Sequence, residues 1–238
     1  MLGQFLEFSL PTPDIQASLE FYLKLGFTEA TVGETWAHPY AVVTDGRVSL
    51  GLHQNAEMAA ALTFVKPGLL QHIGALESLG VEFEYRRLGN DVFNEIGWRD
   101  PSGQMIRLIE ARTFSPAKRP GSQWSRCGYF LEAALPSPDI DVSKAYWEKL
   151  GFVGMDELDD VMPHISCTSD FIDLGLYGQQ LLPGFALRFE PENLAAALEQ
   201  IAPTGIEPPA RSPLKLPKSR AAVLRAPEGT HLLLLPPP

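Results

Sequence analysis

Residues 5–27, FLEFSLPTPDIQASLEFYLKLGF, return at residues 130–152 as FLEAALPSPDIDVSKAYWEKLGF. Thirteen of these 23 positions are identical at a constant offset of 125 residues, which chance does not produce. Each copy has the pattern of an apolar strand, a Pro-x-Pro-Asp break and an amphipathic helix that ends at Gly26 or Gly151. Asp14 and Asp139 stand where a carboxylate caps the first free N–H groups of a helix. The chain is therefore predicted to consist of two homologous halves.

A weaker version of the same unit follows each strong copy, and short extended segments complete all four units. The predicted fold class is α+β, with four βαβββ modules at residues 1–57, 58–113, 126–180 and 181–238. The extended segments are 40–44, 47–52, 61–66, 81–86, 91–99 and 105–110 in the first half, and 162–168, 171–177, 185–189, 221–225 and 231–235 in the second. The two weaker helices are predicted at 69–79 and 191–201.

The segment between the halves has the composition of a linker. Residues 114–125 are rich in Pro, Ser and basic residues and show no apolar periodicity. The prediction is two domains, residues 1–113 and 126–238, joined by residues 114–125.

Composition limits the partners of the chain. Its 238 residues carry a net charge of −10, which repels the phosphates of nucleic acids and anionic lipid headgroups. Two cysteines, Cys127 and Cys167, do not form a disulfide framework, and the N-terminus lacks the basic region of a signal peptide. We expect a cytoplasmic monomer or homodimer that binds neither nucleic acid nor membrane.

The PDI-x-x-S helix that ends in KLGF, together with DPSGQMIRLIE one module later, resembles the vicinal oxygen chelate superfamily of glyoxalase I, extradiol dioxygenases and bleomycin resistance proteins. The resemblance covers nearly the whole chain and is weakest in the fourth module, where APEGTHLLLL lacks the usual Asp. It implies two tandem domains with open, curved mixed sheets. It also implies a cleft in which the first and last strands of each module hold a divalent metal ion.

The resemblance places the metal-ligand positions on residues that make a poor ligand set. These positions are Glu7 and Ser49, Ala61 and Arg107, Glu132 and Asp173, and Gly184 and Leu233. Two pairings of the modules are possible. Either modules one and two share one cleft and modules three and four the other, or module one pairs with four and module two with three. Neither pairing assembles the usual His and Glu ligands, so no metal cofactor is expected. If a metal binds, Glu7, Glu132 and Asp173 are the candidate ligands.

Arg107 stands where the superfamily commonly has a glutamate. A guanidinium repels a divalent cation and can bind a carboxylate through two hydrogen bonds. Arg107 is therefore predicted to pair with Glu7 or Glu132 in place of the metal, or to bind an anionic ligand directly. A surface ion pair is the simpler alternative.

Further residues are candidates for a ligand-binding cleft. Glu7 and Glu132 lie in apolar strands, where a carboxylate is costly unless it is paired or functional, and they are also the candidate catalytic residues. His231 and His53 have the strand parity of ligand positions, whereas His38 and His72 are expected in solvent. Aromatic candidates for the cleft walls are Trp36, Tyr40, Phe93, Trp98 and Tyr177.

Three functions are compatible with these residues. The first is a protein that binds a small organic molecule without a metal. The second is a metal-dependent lyase, isomerase or dioxygenase, or an enzyme that uses Glu7 or Glu132 as a general acid or base. The third is a structural or interaction module.

Overall fold

The computed structural model describes residues 2–31, 36–90, 93–111, 125–158, 162–178, 182, 184–209, 214, 216–217 and 219–237. It contains two mixed β-sheets, one from each half of the sequence. The α+β fold of four repeated modules is therefore confirmed. The predicted linker lies almost entirely outside the described residues, so the domain boundaries stay a prediction.

The first half forms an eight-stranded sheet in the order β2-β3-β4-β1-β5-β8-β7-β6. Modules one and two pair through the antiparallel contact of β1 with β5, which settles which modules share a sheet. The elements are β1 (Gln4–Pro11), α1 (Ile15–Lys24), β2 (Thr28–Ala30), β3 (Tyr40–Thr44), β4 (Ser49–His53), β5 (Ala61–Val65), α2 (Ile73–Ser78), β6 (Phe83–Arg87), β7 (Glu95–Arg99) and β8 (Met105–Ile109), with a 3-10 turn at Leu69–His72 before α2.

The second half repeats this arrangement with seven strands in the order β10-β11-β12-β9-β13-β15-β14. The fourth module contributes three strands among the residues that the structure describes. The elements are β9 (Tyr129–Pro136), α3 (Ile140–Lys149), β10 (Val153–Leu158), β11 (His164–Thr168), β12 (Leu174–Tyr177), β13 (Ala186–Glu190), α4 (Leu194–Ile201), β14 (Ala222–Arg225) and β15 (His231–Leu234).

The helix starts follow the capping chemistry that the sequence predicts. The Asp14 carboxylate accepts hydrogen bonds from the backbone N–H groups of residues 16 and 17, and Asp139 accepts one from that of residue 142. Helix α4 begins three residues later than predicted, because the Asn193 side chain caps it. Gly26 and Gly151 have positive φ angles of 91° and 103°, a conformation that favours glycine after a helix.

One apolar core runs through both halves. Alternate strand residues of both sheets face this core, and rings from the two halves meet in it. The ring centroids of Phe8 and Phe130 are 6.1 Å apart, and those of Phe27 and Phe189 are 6.2 Å apart. The opposite face of each sheet carries the polar residues of interest. We call the face with Glu7, Thr63 and Arg107 the first concave face, and the face with Glu132 and Arg188 the second concave face.

Polar contacts also join the halves, through one residue of α1 and one of α3. The Tyr22 hydroxyl on α1 donates to Glu228 at 2.6 Å, and Trp98 Nε1 donates to the Tyr146 hydroxyl on α3 at 2.6 Å.

Trp98 is fully buried in the shared core, so its assignment to a cleft wall is wrong. The error is one of strand parity, because Ile96 and Trp98 face the core while Gly97 faces the other way. In the part of the chain that the structure describes, no helix is long and apolar enough to span a membrane.

Candidate functional site

Glu7 is the centre of a buried polar cluster on the first concave face. Its carboxylate accepts a hydrogen bond from Ser9 Oγ at 2.8 Å and another from the Tyr40 hydroxyl, and it lies 2.9 Å from His53 Nε2. Burial of Glu7 and His53 is almost complete. Gly51 leaves room for the carboxylate, because a Cβ there would lie 2.2 Å from Glu7 Oε1. The structure thus brings together two predicted site residues, Glu7 and His53.

A chain of imidazoles leads outward from Glu7. His53 Nδ1 lies 2.9 Å from Nε2 of His38, which is half-buried. One ring nitrogen of this pair donates to the other, because a neutral imidazole offers one donor and one acceptor. Desolvation, the neighbouring His53 and the positive charge of Arg107 lower the pKa of His38. His38, which we expected in solvent, therefore belongs to the cluster.

The second half builds the same cluster around Glu132. Glu132 Oε1 accepts from the Tyr177 hydroxyl at 2.7 Å and from Arg188 Nη1 at 3.1 Å, and lies 3.3 Å from His164 Nε2. Tyr and His have exchanged strands between the two copies. In the first half Tyr40 on β3 is opposite His53 on β4, whereas in the second half the histidine is on β11 and the tyrosine on β12.

The charges of the second cluster stabilise each other. Burial would raise the pKa of Glu132, but the hydrogen bond and charge of His164, with the charge of Arg188, lower it. Burial would likewise lower the pKa of His164, but the bond to Glu132 raises it. Burial and the Glu132 charge raise the pKa of Tyr177 well above its usual value. The cluster is therefore a buried ion pair supported by neutral donors.

Arg107 does not pair as predicted. Its Nε lies 3.0 Å from Glu95 Oε1 and donates to the Tyr85 hydroxyl at 3.0 Å, so the expected pairing with Glu7 or Glu132 is wrong. Glu95 lies two residues before Gly97, which is opposite Arg107, and so shares its face of the sheet. Arg107 is buried, and among the described residues its Nη1 has no hydrogen-bond partner. Its guanidinium carbon is 5.9 Å from the ring centroid of Trp36.

Arg188, which the sequence analysis did not single out, is the guanidinium that reaches Glu132. Two signals could have identified it. The segments ALTFV at 61–65 and ALRFE at 186–190 align at the repeat offset, which places Arg188 at the position of Thr63. A charged residue between Leu187 and Phe189 also faces away from the core, towards Glu132. Each half therefore has a buried arginine on its polar sheet face, Arg107 on β8 and Arg188 on β13.

The register corrects two further ligand positions. Thr63, and not Ala61, lies opposite Glu7, and Arg188, and not Gly184, lies opposite Glu132. A bulge in each strand pair shifts the register.

Two further candidates, Asp173 and His231, are not among the hydrogen-bond partners of Glu132 in the described part of the chain. Asp173 is half-buried, and its pKa is raised by desolvation and by the charge of Glu132. His231 at the start of β15 has a pKa lowered by desolvation and by Arg225.

The two concave faces differ in what covers them. On the second face Met162, Leu182 and Leu214 are buried in one apolar cluster with Tyr177 and Leu233. The chain therefore fills its own second cleft. On the first face the residues around Arg107 are polar or aromatic, and the exposed ring of Phe93 lies 6.0 Å from that of Trp36.

A divalent metal ion does not fit the ligand positions of either face. In the second half the central strands place Glu132, Arg188 and Leu233 side by side, and neither a guanidinium nor a leucine offers a lone pair. In the first half Glu7 is followed by Thr63 and Arg107. No group of three His, Cys, Asp or Glu suited to a metal occurs among the described residues. The donor set is that of an internally paired protein site.

Comparison with known proteins identifies the fold. No protein-family model and no curated protein sequence matches the chain. Among solved structures, a catechol 2,3-dioxygenase matches with a TM-score of 0.60 and 15% identity, covering 99% of this chain and 89% of the other. The E323L mutant of homoprotocatechuate 2,3-dioxygenase from Brevibacterium fuscum matches at 0.61 and 18%, covering 98% and 71%. BphC, a halotolerant catechol dioxygenase, matches at 0.59 and 15%, covering 98% and 86%. The chain thus has the fold of these solved dioxygenase structures.

Proposed function

We propose that this chain, which has the vicinal oxygen chelate fold, binds a small organic molecule at its first concave face and needs no metal ion to do so. The observation that carries the proposal is the buried Nη1 of Arg107, a strong donor without an acceptor among the described residues. Leaving a buried donor unpaired costs about 1–3 kcal/mol, and a charged donor costs more. A ligand oxygen at this position removes that cost.

Aromatic side chains provide the apolar walls that a small organic ligand requires. The ring centroid of Trp36 lies 5.0 Å from that of His53 and 6.2 Å from that of Tyr40, and Phe93 extends the group outward. A ligand oxygen bonded to Arg107 Nη1 would lie near the ring of Trp36, whose centroid is 5.9 Å from the guanidinium carbon. Among the described residues of the second concave face, Leu182 and Leu214 are buried with Tyr177 and Leu233, so that part of the face offers no comparable place.

The alternative is a metal-dependent lyase, isomerase or dioxygenase. Similarity to dioxygenase structures favours it, but likeness of fold alone does not transfer an activity. The donor set opposes it, because Arg107 and Arg188 carry positive charge at the positions where a cation would be held. The third reading, an interaction module, stays a prediction.

Metal content and metal response test the proposal together. A metal that binds only the folded protein, present at 100 times its Kd, adds about 2.7 kcal/mol, or about 5–10 °C in Tm for a chain of this size. We expect no stoichiometric metal in elemental analysis of the purified protein and no such shift with Mn²⁺, Ni²⁺, Zn²⁺ or Fe²⁺. We also expect organic compounds from a fragment library to raise the Tm.

Two variants, one on each concave face, show whether an observed metal-induced shift comes from a candidate ligand. Glu7→Gln and Glu132→Gln each remove one candidate metal ligand while keeping the side-chain shape. Stoichiometric metal that either substitution abolishes would overturn the metal-free proposal. A library in which no compound stabilises the protein would overturn the binding proposal.

A further inference from the structure

The charge of Arg107 is already balanced by the protein. Glu95 lies 3.0 Å from Arg107 Nε, and both side chains are more than nine-tenths buried. The Tyr85 hydroxyl donates to the same Glu95 oxygen at 2.6 Å and so fixes its position. Burial is the largest reason that the pKa of Tyr85 is raised to about 12, so Tyr85 stays a neutral donor at physiological pH. Arg107 thus combines an unpaired N–H group with a neutralised charge.

The charges of the first concave face disfavour an anionic ligand. Glu7 is the second buried carboxylate on this face, with His53 Nε2 at 2.9 Å; Ser9 and Tyr40, which donate to it, are neutral hydroxyls, and the pKa of the outer imidazole, His38, is lowered. Apart from the imidazoles, the buried charged groups of the face are two carboxylates and one guanidinium; Arg87, whose Nη1 lies 3.8 Å from Glu95 Oε2, is three-quarters exposed, so water screens its charge. A ligand carboxylate at Nη1 would be a third negative charge in a desolvated site, where repulsion between like charges is strong.

We propose that the first concave face selects an uncharged aromatic compound whose carbonyl oxygen accepts a hydrogen bond from Arg107 Nη1, and that Glu95 sets this preference. The inference rests on the proposed function and names the class of its ligand. A carbonyl oxygen satisfies the open N–H group without adding charge. The rings of Trp36, His53 and Tyr40 match a planar aromatic group, which prefers edge or offset contacts with other rings.

Three compounds that share one ring separate the contributions. Acetophenone supplies the ring and a neutral carbonyl, benzoate supplies the ring and a carboxylate, and toluene supplies the ring alone. Isothermal titration calorimetry of the wild-type protein is expected to give an affinity for acetophenone about tenfold higher than for either of the others, since a hydrogen bond to a charged donor changes affinity by about that factor or more.

Substitutions at the ion pair test the role of Glu95. In Glu95→Gln the guanidinium loses its neutralising partner, so we expect benzoate to bind more tightly than acetophenone. In the double variant Glu95→Gln with Arg107→Met no buried charge is orphaned, and the advantage of acetophenone over toluene is expected to disappear. Glu84→Gln is the matched control, because Glu84 pairs with Arg99 at the surface and its loss should leave all three affinities unchanged.

Each result bears on the inference alone or on the proposed function as well. Equal or tighter binding of benzoate by the wild type, or unchanged preference in Glu95→Gln, overturns the inference. Failure of all three compounds to bind also overturns it, whereas the proposed function fails only if the fragment library also yields no stabilising compound.

Discussion

Arg188→Met tests the conclusion that the second cluster is a structural ion pair. The substitution keeps the length of the side-chain stem but removes the charge that faces Glu132, and both residues are about 2% exposed. Removing one partner of a buried ion pair costs about 3–5 kcal/mol when the other charge stays buried without compensation. His164 Nε2 lies 3.3 Å from Glu132 Oε1 and remains as a partner of the carboxylate, so we expect a loss at the lower end of this range, about 3 kcal/mol. For a chain of this size such a loss corresponds to a fall in Tm of about 6–12 °C.

Thermal and urea unfolding of three variants measure the effect. The double variant Arg188→Met with Glu132→Gln removes both charges, and its amide oxygen still accepts from Tyr177, so we expect it to be more stable than Arg188→Met alone. Arg99→Met breaks the exposed pair with Glu84 and should cost no more than about 1 kcal/mol. Calorimetry of the double variant with acetophenone should give the wild-type affinity, since the second face is not the proposed binding face.

Two results would refute this reasoning. A loss below about 1 kcal/mol for Arg188→Met would mean that His164 or water compensates the charge of Glu132 and that the arginine is not needed for it. A double variant no more stable than the single one would mean that the cost arises from lost packing of the arginine stem and not from the orphaned carboxylate.

Three other predictions concern stability. The lowered pKa of Glu132 adds stability above its ordinary value of 4.5 that is lost as pH falls, and the raised pKa of His164 adds stability below its ordinary value of 6.5 that is lost as pH rises. The stability excess of the wild type over His164→Gln should therefore be largest between those values and shrink at alkaline pH; a constant difference in Tm across a pH series would contradict this. Gly175→Ala should lower the Tm in differential scanning fluorimetry by the equivalent of about 1–3 kcal/mol, because its Cβ would lie 2.3 Å from Glu132 Oε1, and an unchanged Tm would show that the carboxylate is free to move. Tyr22→Phe should lower the free energy of unfolding in urea by about 1.5 kcal/mol, because it removes the hydrogen bond to Glu228. An unchanged free energy of unfolding would show that this hydrogen bond does not stabilise the contact between the halves.

The repeat is the reason that the architecture could be predicted from the sequence. Identity at a fixed offset revealed the modules, and strand parity placed Glu7 and Glu132 away from the core. The pairing of modules could not be derived, because β1 and β5 carry no signal that selects one apolar strand as the partner of another.

The polar contacts were harder to predict than the fold. Arg107 was assigned to a central carboxylate, yet its partner Glu95 comes from β7, a strand whose register the sequence left open. The residues paired with Glu7 and Glu132 are Thr63 and Arg188, two and four residues beyond Ala61 and Gly184, and a register irregularity interrupts each strand pair beside them. Side-chain partners depend on such shifts, whereas apolar periodicity does not.

The apolar core that runs through both sheets has a consequence for dissection of the protein. Expressed separately, residues 126–238 would expose Phe130 and Phe189 to water on the surface that Phe8 and Phe27 cover in the full chain. A patch of that kind promotes aggregation or self-association. Truncation is therefore unsuited to assigning activity to one half, and substitutions within the intact polypeptide are the appropriate tool.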